Sequence, residues 1–311
     1  MNHGYDLAAV HLDRPSVVTI GVFDGVHRGH QHLIRRLVAE ARRTDRLAVV
    51  LTFFPHPDVV LRGLSGRYYL TTPDQRAELM GELGVDHVIT LPFNEDFRQI
   101  RAGVFVDMMR DHLRLESLWV GADFAMGYKR EGNIGFLRAQ GADKGFALET
   151  IALVGEDGTH TFSSTAIREA LLRGDVEIAQ SLLGRPYGVS GEVVHGDHRG
   201  RTIGFPTANI AVWEEQVVPA NGVYAGWATL DGERYMAATN VGLRPTFAGQ
   251  ELRVEAYLLD FDRDIYGKTL SFSFEQRLRP EKKFSGIDEL IAQIRSDAES
   301  ARSILQTSLR P

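Results

Sequence analysis

Near residue 185 the hydrophobic rhythm of this chain changes, and one sheet or bundle does not accommodate both rhythms. Upstream, short runs rich in β-branched residues alternate with amphipathic stretches. SVVTIGVF from Ser16, LAVVLTFF from Leu47, DHVITL from Asp86, SLWVGADF from Ser117 and ALETIALV from Ala147 read as strands. After Gly29, the residues Leu33, Ile34, Leu37, Val38 and Ala41 form one helical face. A second helix starts at Thr72, with Pro73 in its first turn and Gly84 at its end, and a third covers Val104–Leu113. This alternation predicts a parallel sheet with helices on both faces. In SSTAIREALLRGDVEIAQSLLGRP, Ser164 or Thr165 caps a helix that stops at Gly174, and Asp175 starts another that stops at Gly184. Arg185-Pro186 then ends helical continuation.

Downstream the period is two. In TLSFSFE, Leu270, Phe272 and Phe274 alternate with Thr269, Ser271, Ser273 and Glu275. YGVSGEVVHG, NGVYAGWATL, RYMAATNVG and LRVEAYLLDF are also strand-like. Several short antiparallel strands suggest a small closed barrel. A final helix from about Ile287 places Leu290, Ile291, Ile294, Ala298 and Ala301 on one side, fit to pack on the barrel. The expected division is residues 1–185, α/β with a parallel sheet, and residues 186–311, an antiparallel barrel with a terminal helix.

A chain of 311 residues is long enough for two such domains. Its formal net charge of −6 argues against a life spent gripping phosphate backbones, so no nucleic-acid partner is expected. There is no cysteine, which removes disulfides and cysteine-ligated zinc. The start, MNHGYDLAAVHLDRP, has no basic region followed by an apolar run, and no stretch is apolar enough to span a membrane. The expectation is a cytoplasmic protein with small-molecule partners and no membrane.

The chemistry concentrates first in GVFDGVHRGHQHLI, Gly21 to Ile34. A strand, a glycine-rich turn and a helix start make an anion site, because the first helical N–H groups are free and the dipole favours negative charge. Gly29 lets phosphate approach the backbone, and His27 and His30, three apart, can face the same phosphates. Histidine donates hydrogen bonds and can be cationic, which suits charge growing on phosphorus. Zinc held by His27, His30 and His32, or a structural turn with incidental histidines, are the other readings of these residues.

GVFDGVHRGH resembles the adenylyltransferase signature of the HxGH nucleotidyltransferases, and FSSTAIREAL resembles their second signature. The resemblance implies a Rossmann-like nucleotidyltransferase domain. It implies nucleotide and phosphate contacts from Gly21, Phe23, Asp24, Gly29, Asp123, Ser164, Thr165 and Arg168, beside Ser163, with His27 and His30 bracing the triphosphate of ATP.

In the second half HGDHRGRTIGFPTANI, NVGLRPTF, VEAYLLDFDRDIYGKTL and RLRPEKKF, in that order, resemble the riboflavin kinase module. Together the two halves are similar to the bacterial bifunctional riboflavin kinase/FMN adenylyltransferases, also called FAD synthetases. That family phosphorylates riboflavin to FMN with ATP and adenylylates FMN to FAD with release of pyrophosphate. Thr207 and Asn209, in PTAN, offer neutral hard oxygens suited to Mg²⁺, although the segment also reads as a turn. Gly196, Gly200 and Gly204 leave backbone amides open to phosphate. Glu255 interrupts an apolar strand, which is costly unless the charge is used or lies at an exposed edge. The resemblance makes it the general base on the ribityl hydroxyl. YGKT at Tyr266–Thr269 imitates the end of a P-loop, but Asp262 stands where that pattern needs glycine.

Val22, Ala125 and Met126 depart from the family's usual residues and bear on affinity rather than on reaction type. The rival readings are another HxGH nucleotidyltransferase, which leaves the PTAN barrel unexplained, and a flavin-binding regulatory protein, which predicts a damaged HxGH or a missing Glu255. RNA binding by the barrel lacks a clustered basic-aromatic surface.

Overall fold

The computed structural model describes residues 1–151, 162–196, 203–246 and 249–307. Contacts divide the chain into two compact units, Met1–Ser164 and Thr165–Pro311.

In the first unit the order is β1(Asn2–Gly4), β2(Ser16–Ile20), α1(Arg28–Arg43), β3(Leu47–Phe54), α2(Pro57–Arg62), α3(Pro73–Glu82), β4(His87–Pro92), α4(Glu95–Arg98), α5(Ala102–Leu113), β5(Leu115–Gly121), β6(Ala125–Met126), β7(Gly132–Asn133), α6(Ile134–Lys144) and β8(Ala147–Ile151). Six strands form one sheet in the order β1-β4-β3-β2-β5-β8, every pair parallel. Alternate residues feed opposite cores. Val18, Ile20, Val49 and Leu51 pack with Phe105 and Met109 of α5, while Val17, Ala48 and Val50 pack with Ile34 and Leu37 of α1 and Met80 of α3. The sheet is thus covered on both faces, as expected. The edge strand β1, α2 and α6 carried too short or too weak an apolar period to be read from the sequence. Strand order reverses at β2, which runs between β3 and β5. In such sheets the crevice beyond the strand ends at the reversal is where ligands settle, and the glycine-histidine loop leaves β2 there.

The second unit opens with the pair α7(Ser164–Arg173) and α8(Val176–Leu183). Helix α7 begins at Ser164 itself, earlier than a cap at Ser164 or Thr165 requires. Then come β9(Tyr187–Val194), β10(Ala208–Val212), β11(Gly222–Leu230), β12(Glu233–Thr246), β13(Gly249–Leu258), β14(Thr269–Arg279) and α9(Ile287–Thr307). The strands close into a barrel, β10-β13-β12-β11-β14-β9, with antiparallel pairing. Phe272, Phe274 and Tyr224 fill its interior, with ring centroids 4.8 Å and 5.2 Å apart. Ala301 and Leu305 of α9 pack on Ala225, Trp227 and Ala238. The strand not foreseen is β10. It begins inside PTAN, where Pro206 and the missing alternation signalled a turn, and pairing with β9 and β13 rather than its own sequence makes it a strand.

Candidate functional sites

The loop between β2 and α1 is held in a conformation that ordinary residues resist. Phe23, Gly25 and Val26 have φ of 53°, 78° and 41°, in the left-handed region. A buried clamp maintains it. Asp24 is 1% exposed, and its carboxylate accepts from the backbone N–H of Leu70 and Thr71 and from the Thr71 hydroxyl. Thr71 Oγ1 in turn accepts from Gly25 N–H. Asp24 therefore faces inward as a scaffold. Arg76 of α3, fully buried, donates through Nη1 to the carbonyls of Val22 and Phe53 and to Thr52 Oγ1. Nothing in the sequence singled out Arg76, which looked like one polar residue on an amphipathic helix.

Beyond the loop, His27 caps α1: its Nδ1 accepts the His30 N–H at 3.3 Å. That acceptor role keeps the proton of neutral His27 on Nε2. The His30 ring stacks on His27 with centroids 3.6 Å apart and planes 17° apart, and its edge meets Phe23. His30 Nδ1 is buried with no hydrogen-bond partner among the described residues. Burial first, then His27 and Arg76, push His30 well below the ordinary histidine range. In the free protein it is therefore a neutral hydrogen-bonding ring, not the cation that the residue type allowed. A Cβ on Gly29 would lie 3.3 Å from the His27 ring, so the glycine leaves room for the stack.

The Ser164 hydroxyl donates to the Asp24 carbonyl at 2.8 Å, so the second signature reaches the first loop at that residue. Thr165 and Arg168 lie in the first turns of α7 and count by contacts with the second unit. Gly21 sits at the end of β2 beside the Phe23 ring. Asp123 is an exposed turn residue after β5, its carbonyl accepting from Arg130. Among the described residues no three His, Cys, Asp or Glu side chains are grouped to hold a metal ion, so the zinc reading of the histidines has no support.

In the barrel, register brings three sequence-distant residues into one row. Glu255 on β13 stands opposite Asn209 on β10 and opposite Asn240 on β12. Val254 and Ala256 are buried in the barrel interior, and Glu255 projects from the other face with 31% of its side chain exposed. Arg253 Nη1 lies 3.8 Å from Glu255 Oε1. Two clefts meet here. One, of about 590 Å³, has a mixed lining that includes Thr207, Asn209, Gly196, Arg253 and Arg244. The other, of about 300 Å³, is walled by Phe205, Val223, Tyr257, Phe284, Leu290 and Ile294. Thr207, Asn240, Glu255 and Glu281 line both.

A Cβ on Gly196 would come within 2.3 Å of Asn209 Nδ2, so the loop glycine makes room for that amide. Gly200 lies outside the described residues. Asn240, Glu281 and Arg279 stand in segments that carried the resemblance, but no spacing rule assigned them a place. Arg279 forms a bidentate pair with Asp297, a buried residue of α9, and both line the second cleft. Asp297 is a buried charge among the apolar residues Leu290, Ile294 and Ala301 of that helix face.

The FAD synthetase family model matches residues 10–166, and the riboflavin kinase model matches residues 183–305. The bifunctional riboflavin kinase/FMN adenylyltransferase of Listeria monocytogenes is 41% identical over 293 residues, covering 94% of this chain and 93% of that protein. Its Escherichia coli K12 namesake is 40% identical, covering 92% and 91%. A crystal structure described as a macrolide-efflux protein from Streptococcus pneumoniae superposes with a TM-score of 0.85 at 32% identity, covering 96% of this chain and 98% of that one. No described helix of this chain is long and apolar enough to cross a membrane, and the efflux description stays with that protein. Two family matches in succession, and relatives aligned over more than nine-tenths of their length, lead to one conclusion: this chain belongs to the bifunctional riboflavin kinase/FMN adenylyltransferase family.

Proposed function

We propose that the barrel phosphorylates riboflavin to FMN and that the histidine loop of the first unit adenylylates FMN to FAD. The observation that carries the kinase half is Glu255 at the seam of two clefts, shared with Thr207, Asn240 and Glu281. The smaller cleft, with Phe205, Tyr257, Phe284, Leu290 and Ile294 on its walls, suits a fused aromatic ring, and the larger, with Arg244 and Arg253, suits a nucleotide and its phosphates. At the seam a hydroxyl of one ligand can meet the phosphate of the other.

Glu255 accepts the proton of the ribityl hydroxyl as its oxygen bonds the γ-phosphorus of ATP, and ADP leaves. Arg253 stands beside Glu255 as a neighbouring positive charge. Mg²⁺ fits the neutral oxygens of Thr207 and Asn209, which line one cleft with Glu255. When bound, it neutralises phosphate charge.

In the second reaction an FMN phosphate oxygen attacks the α-phosphorus of another ATP and pyrophosphate leaves. The nucleophile is already an anion, so no base is required. His27 and His30 donate to the phosphate oxygens where charge grows, with Gly29 and the first amides of α1 behind them. Ser164, and by motif Thr165 and Arg168, hold the distal phosphates. Gly21, Phe23 and Asp123 border the nucleotide, Asp24 holds the loop, and Gly196 and Gly200 cradle kinase-site phosphate. The modules divide as residues 1–185 and 186–311, which keeps the α7–α8 pair with the adenylyl module. The family models end at 166, in the first turn of α7, and begin at 183, the last residue of α8. We place the reactions in the cytoplasm, where ATP is available, with no nucleic-acid partner, in keeping with the net charge of −6.

Incubation with riboflavin, ATP and Mg²⁺, with chromatographic separation, should yield FMN, then FAD. FMN supplied directly should yield FAD without ADP. Absence of both flavin products removes the proposal.

A further inference from the structure

Arg76 is a full positive charge at 0% exposure, and such a charge is expensive unless its surroundings use it. Its contacts converge on one place. Nη1 donates to the Val22 carbonyl at 3.0 Å, to Thr52 Oγ1 at 3.2 Å and to the Phe53 carbonyl at 3.2 Å, while Nη2 lies 3.6 Å from Asp24. Thr52 Oγ1 donates to the same Val22 carbonyl at 2.7 Å. That carbonyl belongs to the peptide leading into Phe23, the first of the left-handed residues. A strained turn persists only where its surroundings over-determine it. Here the turn is tied to β3 and α3, and α3 is itself fixed at its start by a reciprocal Thr72–Gln75 capping box.

We propose that Arg76 is a positioning residue for adenylyl transfer: its guanidinium locks the turn Val22–Val26, and the locked turn sets His27 and His30 side by side at the start of α1. The inference rests on the assignment of adenylyl transfer to this loop. Arg76 acts through the histidines and not on the substrate. It has a second effect through its field. Among the described residues the ionisable groups that act on His30 are His27 at the cap of α1 and Arg76 from α3, while Asp24 in the turn is committed to Leu70, Thr71 and Arg76. A buried cation there disfavours a second one on His30, which keeps the ring neutral.

Two variants of the full-length chain separate the parts. R76K keeps the charge and loses the planar fork. R76Q keeps one donor group and loses the charge. Both should phosphorylate riboflavin within about twofold of the parent, since a misplaced loop in one module leaves the other's geometry alone. In R76K, kcat for FAD formation from FMN should fall about 10- to 100-fold, with the KM for ATP moving far less, the scale of a 1 Å misplacement. In R76Q the acid limb of the kcat/KM profile for FAD formation should also move to higher pH, because His30 then protonates more readily. In R76K the limb should stay in place.

Hydrogen exchange at the amides of β3 and α3 reports folding in the same samples. R76K that retains protection and makes FAD within threefold of the parent overturns the proposal. So does a collapse of protection in both variants, which makes Arg76 a stability residue only. An unmoved limb in R76Q removes the field effect. Failure of the parent chain to convert FMN to FAD would instead sink the functional assignment on which the inference stands.

Discussion

On the proposed assignment the two candidate sites handle the same nucleotide with different materials. The first is a turn and a helix start with backbone amides and two stacked imidazoles, where the carboxylate of Asp24 is spent on the N–H groups of Leu70 and Thr71. The second is a row of side chains across three strands, with the carboxylate of Glu255 at the meeting of two clefts. On the proposed assignment the difference follows from the nucleophiles. An alcohol must lose a proton as it attacks, so the barrel needs a base. A phosphate oxygen has no proton to lose, so the loop needs only donors placed where charge develops. The means of support differ accordingly. A loop in strained backbone requires a buried clamp, whereas a strand holds its side chains by register.

The largest effect should come from Glu255→Gln, which keeps shape and removes basicity. FMN formation should drop by roughly 10²–10⁴-fold, riboflavin should still quench on binding, and FAD formation from supplied FMN should be normal. Phosphorylation within about threefold of the parent would leave the barrel without its base, and the contrast between the sites would lose its reason.

Next is His30→Ala. Loss of one charge-stabilising donor should cost FAD formation about 10²-fold or more while FMN formation persists. His27→Ala should lower it too, and it also removes the cap of α1. Equal loss of both activities in folded His30→Ala protein would show that the sites are not independent.

A smaller effect is expected from Gly196→Ala. The new Cβ would meet the Asn209 amide at 2.3 Å, so Asn209 must move. The kinase step should then need more Mg²⁺, as it should in Asn209→Ala, with FAD formation unchanged. An unaltered Mg²⁺ titration in both variants would detach Asn209 from the metal.

The smallest effect concerns pH. His30 has a lowered folded-state pKa, so below its ordinary value of 6.5 the unfolded chain binds the proton more readily. Stability tied to this ring is present above that value and is lost as pH falls toward the lowered one. Hydrogen-exchange protection of the first unit should decline with acidification, and His30→Gln should flatten the decline. A slope unchanged by that substitution would place the acid sensitivity elsewhere.

Period and punctuation in the sequence carried much of the architecture. The alternation of β-branched runs with helical faces yielded the parallel sheet, and the two-residue period of TLSFSFE the barrel, because burial of one face is written locally as spacing. The candidate loop stands out in the sequence for the same reason, since its glycines, histidines and helix start are contiguous. Residues whose meaning lies in a distant partner were not legible. Arg76 and Asp24 differ from surface charges only in being buried against each other and against Val22 and Leu70. Asp297 interrupts an apolar helix face only to meet Arg279. The row Asn209–Glu255–Asn240 exists because β10, silent in the sequence, pairs with β13. Spacing along a chain records which face a residue shares with its neighbours. Which strand lies beside which, and which buried charge finds its counter-charge, is decided only when distant segments pack, because burial and pairing in the folded state set their energies.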